Sequence, residues 1–155
     1  MNKTGLINSD DEPFYNLSIG KKRVTITKDT KVEFEIKKPE RIPIDEIKQK
    51  FPKRLNKRQR DFTIKTINEI DDLLDRIYKF RKDFREINKK EHIEDDIDLN
   101  VEAKSIEYMF EWIKDEIQDL KEVIIKHGVS IENRRKLTET NRILVDLEED
   151  LEKYK

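Results

Sequence analysis

IEYMFEWIKDEIQDLKEVIIKHGVS, residues 106–130, decides the fold. Ile106, Phe110, Ile113, Ile117, Leu120 and Ile124 recur at alternating steps of four and three, which lays one apolar seam along a helix. Ala103 extends the seam upstream, and Met109, Trp112 and Val123 lie to one side of it. Gly128 stands where a residue of left-handed conformation ends a helix at least cost, and Val129 is the hydrophobe that accompanies such a stop. Ser130 then caps the next helix, whose seam is Leu137, Thr140, Leu144, Leu147, Leu151 and Tyr154. So short a connection obliges helices over 101–127 and 131–153 to fold back on one another as an antiparallel hairpin.

Upstream, Pro13, Pro39, Pro43 and Pro52 all precede residue 53, and Gly128 is the only glycine after it. A stretch so free of breakers and rich in Ile, Leu, Lys and Glu reads as long helices. Asn56 with Gln59 three residues on is a capping-box arrangement that starts a helix over 55–88. Its seam is Ile70, Leu73, Ile77, Phe80, Phe84 and Ile87, and Ile67 and Leu74 widen the stripe enough for two neighbours. At ~1.5 Å per residue it is about 50 Å long. The expected fold is mainly α: an antiparallel, up-down-up three-helix bundle with long coiled-coil-like helices over 54–155.

The N-terminal third reads differently. Tyr15, Leu17 and Ile19, then Val24 and Ile26, then Val32, Phe34 and Ile36 alternate with polar residues, the period of strands. Gly20 and Lys28-Asp29-Thr30 supply turns, so residues 13–38 are expected to form a small β-hairpin or three-stranded meander. Residues 39–53 form a Pro-rich connector in which Ile44, Ile47 and Phe51 share one face of a short helix stopped by Pro52. Residues 1–12 read as a flexible tail.

Charged residues make up 45% of the 155 and apolar ones 34%, a balance that alone would suggest disorder. A formal net charge of −1 and twelve aromatic residues argue instead for a folded, thin-cored chain. The absence of cysteine excludes disulfides, thiol catalysis and Cys-ligated zinc. Aliphatic runs stop at three residues, as in Val123-Ile124-Ile125, which is too short for a membrane span or a secretory signal. A cytoplasmic location follows, or a virion if the gene is a phage's. The chain holds 21 Ile and 23 Lys but only one alanine, Ala103. Alanine is the best helix former, so its scarcity points to an AT-rich genome: a low-GC bacterium, a phage or a plasmid.

Charge is the main functional signal. Between Lys37 and Arg60 ten Lys or Arg face only Glu40, Asp45 and Glu46. Lys53, Arg54, Lys57, Arg58 and Arg60 crowd the start of the first long helix, where the macrodipole disfavours cations, and Lys48 and Lys50 of the connector join them as candidate contacts. Glu91, Glu94, Asp95, Asp96 and Asp98, joined by the acidic C-terminal residues, mark the other end. The basic pole reads as a contact for phosphate or an acidic protein surface, or else as a solvated face balanced by the β-segment. Trp112 with Met109 reads as a protein-contact spot, or as packing against the first long helix or the strands. Asp96, Asp98 and Asn100 with Glu107 imitate the spacing of a calcium loop, but Val101 stands where the turn needs glycine. The competing reading has Asp98 or Asn100 capping the helix.

His92 and His127 fall at opposite ends, and neither a catalytic triad order nor a phosphate-binding glycine loop is present. No catalytic residue, cofactor or metal is expected, and no small-molecule substrate or membrane. The expected function is a non-catalytic protein–protein interaction or assembly module, an accessory or structural component whose partner is another protein or further copies of itself. The alternative is a nucleic-acid-binding accessory protein that uses residues 37–60.

Overall fold

The computed structural model describes residues 14–19, 22–91 and 93–153. The chain is mainly helical, with a two-stranded antiparallel hairpin, β1 (Phe14–Ile19) and β2 (Lys22–Thr27), leading a short helix α1 (Ile44–Gln49) and three long ones. These are α2 (Lys57–Lys90), α3 (Ile97–His127) and α4 (Ile131–Glu152), with a single 3-10 turn at Ile93–Asp95 between α2 and α3. Each of the three long helices touches the other two. All seven apolar seam positions expected on α3, from Ala103 to Ile124, are buried, and Ile117 and Ile124 are 0% exposed. On α2, Ile67, Ile70, Leu73, Leu74, Ile77 and Phe84 are buried, while Phe80 and Ile87 pack partly covered at the margin. Leu137, Thr140, Leu144, Leu147 and Leu151 line the buried face of α4, and Tyr154 lies outside the described residues.

The local signals at helix ends work as the residues dictate. Asn56 Oδ1 accepts from the Gln59 amide and the Gln59 side chain accepts from the Asn56 amide, each at 2.8 Å, closing the capping box. Ser130 Oγ accepts from the Asn133 amide at 3.1 Å. Gly128 ends α3 with φ of 82°, and a Cβ there would sit 3.1 Å from Leu55 Cδ2. Glycine is thus required twice, by the backbone angle and by the closeness of a neighbour.

Ion pairs record how the helices run. Asp71–Lys121, Arg81–Glu111 and Arg85–Glu107 bridge α2 and α3. Ten residues and then four along α2 are matched by ten and then four backwards along α3, so the two are antiparallel in fixed register. Arg134 to Glu69 and Arg76 to Asn141 join α2 to α4 with both numbers rising together, so these helices run parallel.

The expected third strand does not form. Val32, Phe34 and Ile36 are half-buried and alternate with exposed Lys31, Glu33, Glu35 and Lys37, but residues 31–43 join no sheet among the described residues. They run instead as an extended strip over α2 and α3. Side chains of those helices take its carbonyls: Arg85 donates to Phe34 O at 2.7 Å and Tyr108 to Lys31 O at 3.2 Å. Lys104 holds Lys28 O at 2.5 Å just upstream, and the Phe34 ring meets Tyr108 edge-on at 4.9 Å. Period-two alternation reports an extended backbone with one covered face; here the cover is helical. The turn at Lys28-Asp29 is present, whereas the expected turn at Gly20 and the tail over 1–12 lie outside the described residues.

The start of α3 also needs correcting. It begins at Ile97, and its cap is Asp96, whose Oδ1 accepts from the Leu99 amide at 3.0 Å, in place of Asp98 or Asn100. Asp98 sits in the first turn, where a carboxylate suits the positive end of the dipole. The calcium-loop spacing is therefore wound into a helix, with Glu107 committed to Arg85 at 2.6 Å.

Candidate functional site

Three apolar anchors build the basic end. Ile47 on α1, then Phe51 and Leu55, recur every four residues and are 1%, 6% and 7% exposed, plugged into the same core as the long helices. With these pinned inward, the residues between them are forced out: Lys48, Lys50, Lys53 and Arg54 are all exposed. Lys57, Arg58 and Arg60 follow on the first turn of α2, which contains no acidic residue. Arg60 is half-buried because its Nε donates to Leu55 O at 3.0 Å. Arg54 reaches across to His127 O at 2.7 Å and satisfies a carbonyl at the C-terminus of α3. That bond, with Leu55 against Gly128, brings the start of α2, the end of α3 and the start of α4 to one end of the molecule.

Two of the seven cations thus serve the fold, and five (Lys48, Lys50, Lys53, Lys57 and Arg58) project from it. Among the described residues none of the seven forms an ion pair, although Asp45, Glu46 and Asp61 are close in sequence. The first part of the basic stretch is more committed: Arg41 reaches Asp72 at 2.8 Å and also Asp75, tying the connector to the flank of α2. The guanidinium's hydrogen bonds to these two carboxylates raise its pKa further above its ordinary value. At the other end of the long helices the carboxylates of Asp96, Asp98 and Glu102 gather at the start of α3, near those of Asp146 and Asp150 on α4.

Trp112 is 7% exposed, and its ring lies 5.7 Å from the Lys22 ammonium on β2, in the region where the hairpin packs on α3. Leu17 and Ile26 of the hairpin are themselves buried at 4% and 0%. Met109 is partly covered and lines a groove with Tyr15, Ile106 and Ile143. Among the described residues no cluster of three or more His, Cys, Asp or Glu is arranged to hold a metal ion, and no helix is long and apolar enough to cross a membrane.

Sequence reasoning missed the charges inside the helix contacts. Asp71 is 4% exposed, Lys121 8% and Arg81 3%, each among apolar seam residues. Lys121 donates to Asp71 at 2.6 Å, and Arg81 meets Glu111 at 3.4 Å. A signal for them existed: opposite charges at mirrored intervals along two helices already expected to be antiparallel. No family model, no curated protein and no solved structure matches this chain at a significant level.

Proposed function

We propose that the protein is a non-catalytic interaction or assembly module, a rod-like three-helix bundle that offers its cationic end to an acidic protein surface. One observation carries this reading: five exposed cations are held outward by buried Ile47, Phe51 and Leu55, and no carboxylate of the described chain pairs with them. Unpaired cations fixed on a folded surface raise the local potential and steer an acidic partner onto it. An accessory or structural part of a phage, a mobile element or a low-GC bacterium, acting in the cytoplasm or a virion, fits both this design and the Ile- and Lys-rich composition. Light scattering combined with cross-linking in the native host tests it. A complex that dissociates as salt rises and loses its cross-links in Lys53→Glu/Arg58→Glu supports the reading. A monomer without cross-links that turns over a small molecule overturns it.

The same feature favours a second reading, nucleic-acid binding. Lys57, Arg58 and Arg60 lie at a helix N-terminus without a single acid in the first turn, a setting that suits phosphate. A gel shift across a salt series separates the two: DNA or RNA affinity must fall steeply with log salt. No retention at low salt ends this alternative.

A further inference from the structure

The extended strip, α2 and α3 enclose a cavity of about 370 Å³. Arg81, Lys114 and Gln118 make its polar side, Leu74, Ile77 and Tyr78 its apolar side, and the strip covers it with Lys37 and Lys38 beside Glu35 and Glu40. It is separate from the basic end: Arg81 lies about 36 Å along α2 from Lys57 at the helical rise of ~1.5 Å per residue.

Arg81 is the anomaly. Its side chain is 3% exposed, one Nη reaches Glu111 only at 3.4 Å, and the buried Nε has no hydrogen-bond partner. Glu111 is simultaneously held closely by Lys114, so one carboxylate is divided between two cations. The other buried pair shows what a finished contact looks like here: Lys121 and Asp71 close at 2.6 Å and leave no orphaned atom. A buried guanidinium with an idle donor is costly unless an acceptor arrives. Burial accordingly pushes the Arg81 pKa below its ordinary value, against the pull of Glu111.

We propose that this cavity binds a small amphipathic anion, its carboxylate or phosphate head bridging Arg81 and Lys114 and its carbon body lying along Leu74, Ile77 and Tyr78. An oxyanion matches the planar fork of the guanidinium and adds negative charge beside a cation that shares Glu111 with Lys114. Its volume falls in the range of small-molecule sites, with an apolar helical wall beside convergent charged groups.

The buried Arg81 Nε–H gives its own signal in ¹H–¹⁵N spectra of the full chain, assigned by its loss in Arg81→Lys. Phenyl phosphate, benzoate and inorganic phosphate are titrated at constant ionic strength, with sodium chloride as the control. Saturable movement of that signal with phenyl phosphate, benzoate or both is the expected result, and which of them acts identifies the head group. Phenyl phosphate or benzoate should bind roughly tenfold tighter than inorganic phosphate, because the ring buries apolar area. Lys114→Met, at a partly exposed position, should weaken binding by about the same factor, the loss expected for one charge-assisted hydrogen bond. A signal that moves no more than in sodium chloride, or a Lys114→Met protein that titrates like the wild type, overturns the site. Equal affinity for phenyl phosphate and inorganic phosphate overturns its amphipathic character.

Discussion

Replacing Lys121 by methionine should be among the most damaging single changes in this protein, and replacing its partner as well should restore most of the loss. Lys121 and Asp71 lie 2.6 Å apart, their side chains 11% and 5% exposed, between Ile67, Ile70 and Leu74 on α2 and Ile117, Leu120 and Ile124 on α3. Removing the ammonium leaves a carboxylate sealed in an apolar contact. Stranding one member of a buried ion pair costs about 3–5 kcal/mol, against a total stability of roughly 5–15 kcal/mol for a domain. The double variant Asp71→Leu/Lys121→Met substitutes packed hydrocarbon for the pair, and such exchanges are neutral or stabilising by about 1–4 kcal/mol. Urea unfolding followed by helical circular dichroism gives the four corners of the cycle, with the m value checked for constancy. A coupling energy of about 3 kcal/mol or more is expected. If Lys121→Met costs under about 1 kcal/mol, or the double variant is no more stable than Lys121→Met alone, the pair is not the closed contact described.

Other changes probe other parts of the fold. Ile117→Ala, at a position 0% exposed, should cost about 2–5 kcal/mol in the same denaturant assay. A variant that keeps its helicity but loses an oligomer in light scattering would mean that the seam is intermolecular. Gly128→Ala must adopt a φ of 82° and push on Leu55, so a loss of about 1–3 kcal/mol is expected by thermal unfolding. Asn56→Ala, which opens the capping box, should lower stability by about 0.5–2 kcal/mol, read in the same melts. Lys53→Glu/Lys57→Glu/Arg58→Glu should leave circular dichroism unchanged and abolish binding to acidic partners or phosphate chains in a pull-down or gel shift.

The helical two-thirds was legible because its information is local. Ile117 or Leu144 is recognised as buried from residues three and four away, and Asn56 with Gln59 announces its own cap. The strip was misread for the opposite reason. Val32, Phe34 and Ile36 state that the chain is extended with one face covered, but the groups that cover it, Arg85 and Tyr108, come 51 and 77 residues after the backbone they hold. Asp96 was overlooked as a cap because Ile97 and Leu99, exposed at 45% and 37%, lend the start of α3 no apolar period. The basic end was legible as a charge count. Which cations stay free was not, since Arg54 and Arg60 find their acceptors only on folded backbone at His127 and Leu55. Arg81 resembled any surface arginine on a charged helix, and nothing near it in sequence marks it as buried.

The strip and hairpin also impose an order of events on synthesis. Their supports at Lys104 and Tyr108 leave the ribosome 76 and 77 residues after the carbonyls they hold at Lys28 and Lys31. At ~5–20 residues per second that is a wait of roughly 4–15 s. A two-stranded hairpin is marginal by itself in water, so through that interval the hairpin lacks the face of α3 on which it packs. It closes over α2 and α3 as a late clasp, and the newborn chain carries Leu17, Ile26 and Phe34 uncovered until α3 has emerged.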